Sequence, residues 1–207
     1  MRRTARVLLL WIVFGSATAG ATVTEDTSIT IRLFNRSRVA NAVVLEGEKE
    51  SQDLLQRAGI GVAWLNCPGR PECAEVPSPT SLIVTLLRRG SALASVDVLG
   101  LALEDAGGSG TYAYIFENRL NEIAGQTHLA TSRLLAYAIA HEIGHLLKGG
   151  HSHSAKGIMS AVWLKPELDE IARAALAFTA NDAEIMRSRL SRTKDTRQRV
   201  ESLVTMK

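Results

Sequence analysis

Residues 141–145 read His-Glu-Ile-Gly-His, and no other feature of the chain restricts its fold so sharply. On an α-helix, residues four apart differ by about 40° around the axis, so His141 and His145 project from one face about 6 Å apart. Leu135, Ile139, Ile143 and Leu147 repeat at the same step and supply helix sides that can be buried. The spacing predicts a helix from about Thr131 to Leu147, pinned by packing, with both imidazoles facing a cleft. Two imidazoles so placed suit one Zn²⁺ at roughly 2.0–2.1 Å from each nitrogen. Glu142 can stand just outside the ligand shell and serve as general base toward a zinc-activated water. With 5 His and 14 Glu in the chain, a random shuffle yields roughly 0.01 such matches, so chance is a poor explanation.

The N-terminus addresses the compartment. "MRRTAR" is basic, "VLLLWIVFG" is a short apolar run and "SATAGA" is rich in small residues. This is the layout of a secretory signal peptide over residues 1–21, with cleavage expected before Thr22. The apolar run falls short of the roughly 20 residues that span a bilayer, so no stable membrane insertion is expected after cleavage. Removing residues 1–21 removes three Arg and no acid, which takes 24 Lys+Arg against 21 Asp+Glu to 21 against 21. The mature chain is formally neutral and gives no electrostatic reason to expect nucleic acid as a partner. In an exported chain, Cys67 and Cys73 of "CPGRPEC" are expected to pair across the Pro-Gly turn rather than bind metal.

Residues 22–195 read as a single domain of the α+β class, followed by a flexible tail over 196–207. "SITIRLFN" (28–35) alternates as a strand, 40–60 has apolar residues at helical spacing, and "GVAWLNC" (61–67) is a second strand. The chain therefore opens β-α-β. Further strands are expected at 81–89, 95–103 and 111–116. Helical segments follow the histidine helix at about 166–177 and 180–193, with Thr179 and Asp182 placed as a cap for the last. Nothing in the residues sets the oligomeric state.

The third ligand is less directly legible. His151 lies six residues after His145 and His153 lies eight after it. "HEIGH", a later histidine and "GIM" together resemble the metzincin clan of zinc peptidases, whose pattern is HExxHxxGxxH with a methionine turn beneath the metal. The resemblance implies a zincin-like fold, with His141 and His145 as ligands, Glu142 as base and Met159 as the methionine of the turn. His151 has the clan's spacing, but its glycine position is occupied by Lys148, with Gly149 and Gly150 following. The stretch is also similar to small bacterial exported proteins in which "HEIGHLL" precedes a variable loop and an "HSxxGIM" block. "HSAKGIM" (153–159) fits that block and favours His153, with His151 as the alternative. "RAGIGVAWLNC", "YAYIF" and "FTANDAEIMRSRL" extend the similarity over most of the mature chain.

Other residues carry weaker signals. His128 reads as a loop or helix-start residue rather than a ligand. Tyr112 and Tyr114 lie on a strand expected at an exposed sheet edge, where a substrate backbone could pair. Asn35-Arg36-Ser37 matches a glycosylation acceptor, a pattern too common to weigh. The expected function is a secreted or periplasmic zinc metallopeptidase acting on peptides or proteins. The alternatives are a non-catalytic zinc-stabilised binding module and a zinc hydrolase of non-peptide amides or esters.

Overall fold

The computed structural model describes residues 27–205 apart from 77, 79, 91–97, 105–109 and 151. The expected signal peptide at 1–21 lies outside the described residues, as does His151. Strands β1 (Ser28–Arg36), β2 (Gly61–Cys67), β3 (Ser81–Leu87), β4 (Gly100–Glu104) and β5 (Gly110–Phe116) form one sheet in the order β2-β1-β3-β5-β4. Helix α1 (Asn41–Arg57) joins β1 to β2, which pair in parallel, so the β-α-β opening is present. β1 also pairs in parallel with β3, and β3 with β5, whereas β4 runs antiparallel to β5.

The edge differs from the sequence expectation. β5, with Tyr112 and Tyr114, is enclosed between β3 and β4, and β4 is the outer strand. Ala113 and Ile115 of β5 are fully buried in the main core on one face of the sheet. β4 has only five residues and leaves Leu103 partly exposed, as short edge strands commonly do.

One sheet face carries Ile29, Ile31, Leu33, Val84, Leu86 and Ile115 into a core shared with α1, α3 (Thr131–Lys148) and α5 (Ala180–Thr205). A second cluster of Leu54, Tyr137, Ala140, Ile158, Ile171 and Leu176 packs against α3 from the far side. Helix α3 thus lies between two apolar layers, and 14 of its 18 residues are buried. Full burial of Leu134, Leu135, Ile139 and Ile143 contributes roughly 1.5–3 kcal/mol for each side chain, which anchors the helix that carries the histidines.

Around this frame several boundaries moved. Helix α2 (Glu117–Thr127) has no clear periodic signature in the sequence, because Asn118, Asn121 and Gly125 dilute the apolar spacing of Leu120, Ile123 and Ala124. Helix α4 spans Lys165–Ala172 and stops short of 177. There the chain turns through Ala174 at φ 54°, which brings Leu176 and Phe178 into the second cluster. Helix α5 runs past 193 to Thr205, through residues where a tail was expected; from Ala180 onward it contains neither glycine nor proline to stop it. Its start is capped as expected, the Asp182 amide donating to Thr179 Oγ1 at 3.1 Å. Cys67 and Cys73 form a disulfide around a short 3-10 turn at Pro71–Ala74.

Candidate metal centre

The fold brings three of the sequence-selected histidines together. His141 and His145 project from α3 with their Nε2 atoms 3.1 Å apart. Two nitrogens held at 2.0–2.1 Å by one tetrahedral ion stand about 3.3 Å apart, so the pair needs almost no rearrangement to bind one. The His153 ring lies 4.8 Å from that of His145 and 5.4 Å from that of His141. One ligand atom from each residue falls within 4.8 Å of the others, and this group could hold a metal ion.

The tautomer of His141 is set by its surroundings. Its Nδ1 lies 2.7 Å from the Ile158 carbonyl oxygen, which can only accept, so the proton sits on Nδ1 and Nε2 is the basic nitrogen. The Trp163 indole N–H donates to the same carbonyl at 3.2 Å, and its ring meets His141 edge-on at 5.8 Å. In the sequence Trp163 is marked only as an aromatic four residues beyond Met159.

His153 arrives through a backbone exit from α3. The helix continues through Lys148, then Gly149 (φ 72°) and Gly150 (φ 75°) turn it out in a left-handed conformation that suits glycine. The Gly149 amide donates to the His145 carbonyl and the Gly150 amide to Glu104 Oε2, each at 2.7 Å. Beyond His153 the chain closes on itself, with the Ser154 amide donating to the Met159 carbonyl at 2.8 Å. Met159 is fully buried against α3 at Gly144, where an added Cβ would stand 2.3 Å from its sulfur. Only glycine lets helix and methionine approach so closely.

Glu142 is 6 % exposed and shares a cavity of about 430 Å³ with the three histidines. Burial pushes its carboxyl up to about 8, partly offset by a hydrogen bond from the Ala102 backbone. β4 approaches closely at Gly100, where a Cβ would lie 2.7 Å from Glu142 Oε1. Gly100, Leu101 and Ala102 therefore form one wall of the cavity, and Val162 and Trp163 form part of another. Burial also drives His141 down to about 4, against the Ile158 hydrogen bond and with help from the nearby His153 and Lys148. A ring that stays neutral down to that range is ready to ligate at neutral pH.

These two shifts act on stability in opposite directions in chelator-treated protein. The lowered His141 contributes stability that is present above about 6.5 and lost as pH falls through about 4. The raised Glu142 contributes stability that is present below about 4.5 and lost as pH rises through about 8. The two oppose each other where they overlap, leaving a net fall on the order of 2 kcal/mol between about pH 6.5 and 8. Denaturant midpoints across that range should show this decline in the wild type and lack it in Glu142→Gln.

The remaining candidates lie elsewhere. His128 caps the C-terminal end of α2 at φ 59° and is exposed. Tyr112 and Tyr114 do not line the cavity. The Asn35 side chain is engaged locally, accepting from the Ser37 amide and hydroxyl and donating to the Val39 carbonyl.

No protein-family model matches the chain, and comparison with curated protein sequences yields no match. Solved structures do resemble it. A zinc-dependent peptidase from Methanocorpusculum labreanum superposes with a TM-score of 0.50 at 19% identity, covering 76% of this chain and 99% of that one. An archaemetzincin from Methanopyrus kandleri gives a TM-score of 0.50 at 18% identity, covering 81% and 98%. The fold of this chain is a zincin-like α+β fold, with the three-histidine group on and just beyond its central buried helix.

Proposed function

We propose that this protein is an exported zinc-dependent peptidase in which His141, His145 and His153 hold the metal and Glu142 is the general base. The observation that carries this reading is the convergence of three imidazoles with a buried carboxylate in one cavity. Neutral nitrogen donors suit zinc, and three protein ligands with a position left open mark catalytic rather than structural sites. Zinc, when bound, supplies Lewis-acid polarisation of a carbonyl and makes water easier to deprotonate. Glu142 takes the proton of the attacking water and returns it to the leaving amine. The Ile158 carbonyl holds His141 in the tautomer that ligates through Nε2. Among the described residues β4 pairs with only one neighbour in the sheet, so it offers an extended substrate a strand to pair with, which favours peptides over small esters.

A purely structural site would close four ligands around the metal and would have no use for Glu142. Among the described residues three side chains converge. Export rests on the N-terminal sequence pattern, with the Cys67–Cys73 disulfide in keeping with an oxidising compartment. No helix among the described residues is long and apolar enough to cross a membrane.

The test is metal analysis joined to a broad peptide library. Purified protein should hold about one zinc per chain and cleave peptides. Chelation should abolish cleavage and added zinc should restore it, whereas His153→Ala should hold no stoichiometric zinc. Full zinc occupancy without cleavage of any peptide would overturn the reading.

A further inference from the structure

Lys148 stands where the HExxHxxGxxH pattern has glycine, and the fold gives it a defined place. Its ammonium is buried, with the side chain 5% exposed, and it donates to three acceptors. These are Asp182 Oδ1 at 2.6 Å, the Ser152 carbonyl at 3.2 Å and Ser154 Oγ at 3.2 Å. An ammonium has three N–H donors, so this set uses all of them. The Ser154 hydroxyl in turn donates to Asp182 Oδ1 at 2.6 Å. Asp182 is fully buried; its Oδ2 accepts the Thr179 hydroxyl at 2.7 Å. The Lys148 carbonyl accepts from Arg189 of α5.

Two of the groups held by Lys148, Ser152 and Ser154, are the immediate neighbours of His153. We infer that Lys148, Asp182 and Ser154 form a positioning clamp that fixes the loop carrying His153, so that this histidine can complete the metal site despite the missing glycine. The clamp ties the end of α3 and the start of α5 to both sides of the ligand. It also places an anion against the lysine, so that no unbalanced cation stands beside a site for a divalent ion. Ser154 is held by its backbone as well, through its amide bond to Met159, so hydroxyl and amide together leave the loop little freedom. This inference rests on His153 being a ligand.

Zinc affinity, measured by competition with a chromophoric chelator, tests it beside the melting temperature of the chelator-treated protein. Ser154→Ala removes one hydroxyl and leaves the ion pair in place. It should weaken zinc binding about 10-fold or more with little change in melting temperature, and Ser154→Thr should restore the affinity. Lys148→Met combined with Asp182→Leu replaces the pair by apolar side chains of similar size. That variant should fold and bind zinc about 10- to 100-fold more weakly. His153→Ala runs in parallel. Loss of zinc in His153→Ala with wild-type affinity in Ser154→Ala and in the double variant would overturn the clamp alone. Wild-type affinity in His153→Ala would instead overturn the ligand assignment on which it stands.

Discussion

Replacing Glu142 with glutamine is expected to lower peptide hydrolysis by about 10²–10⁴-fold while zinc stays bound, the range typical for loss of a positioned general base. Glutamine keeps the size of the side chain and an oxygen for the Ala102 hydrogen bond, but it cannot accept a proton. The cavity wall at Gly100 is built tightly around this side chain, so a near-isosteric replacement is the change least prone to disturb it. Burial makes the carboxyl neutral near pH 7 when it stands alone. An opposite charge a few ångströms away favours the ionised form, so zinc held by the adjacent histidines would return it to the state a base requires. Turnover with saturating peptide and zinc content of the same sample are the two measurements. Unchanged turnover in Glu142→Gln at full zinc occupancy would remove the carboxylate from the chemistry.

The second large effect is on stability. Lys148→Met alone is expected to destabilise chelator-treated protein by about 3–5 kcal/mol, because it leaves a buried carboxylate without its cation. The partners are 5% and 0% exposed at the side chain, so solvent screens the pair poorly. Burial by itself would raise the Asp182 carboxyl. Hydrogen bonds from Lys148, Ser154 and Thr179, with the lysine charge, overcome this and hold it below the ordinary carboxylate value of 3.8. A lowered carboxylate contributes stability that is present above that value and lost as pH falls through the folded-state pKa. The penalty in Lys148→Met should therefore shrink under acid conditions, where Asp182 can take a proton. Adding Asp182→Leu should recover most of the loss at neutral pH, since apolar replacement of both partners of a buried pair is often neutral or better. Chemical denaturation of wild type, single and double variants reads all three. A single variant as stable as wild type would show that the pair contributes little.

Local spacing carried much of this molecule. The four-residue steps of Leu135, Ile139, Ile143 and Leu147, with His141 and His145 between them, define a buried helix and its histidine face using only residues one turn apart. The alternation of β1, the β-α-β opening, the paired cysteines and the Thr179–Asp182 cap depend on neighbours within a few residues or on a short loop. These features were legible because the physics that creates them acts over the same short range as the pattern that reveals them.

Tertiary structure decided the rest, because the partners are far apart in sequence. Asp182 reads locally as a helix cap, yet its main partner is Lys148, 34 residues away. Ile158, which orients His141, and Ala102, which meets Glu142, have backbones whose destinations no side-chain pattern records. β5 is as alternating and as aromatic as an edge strand would be, and only the pairing of β4 beyond it shows that it is enclosed. The meeting of His153 with the pair on α3 is likewise tertiary. From the sequence, His151 and His153 differ by two positions in a glycine-containing loop. The structure places His153 beside the pair on α3, and we infer that the clamp of Lys148, Ser154 and Asp182, assembled from the ends of two helices, holds it there.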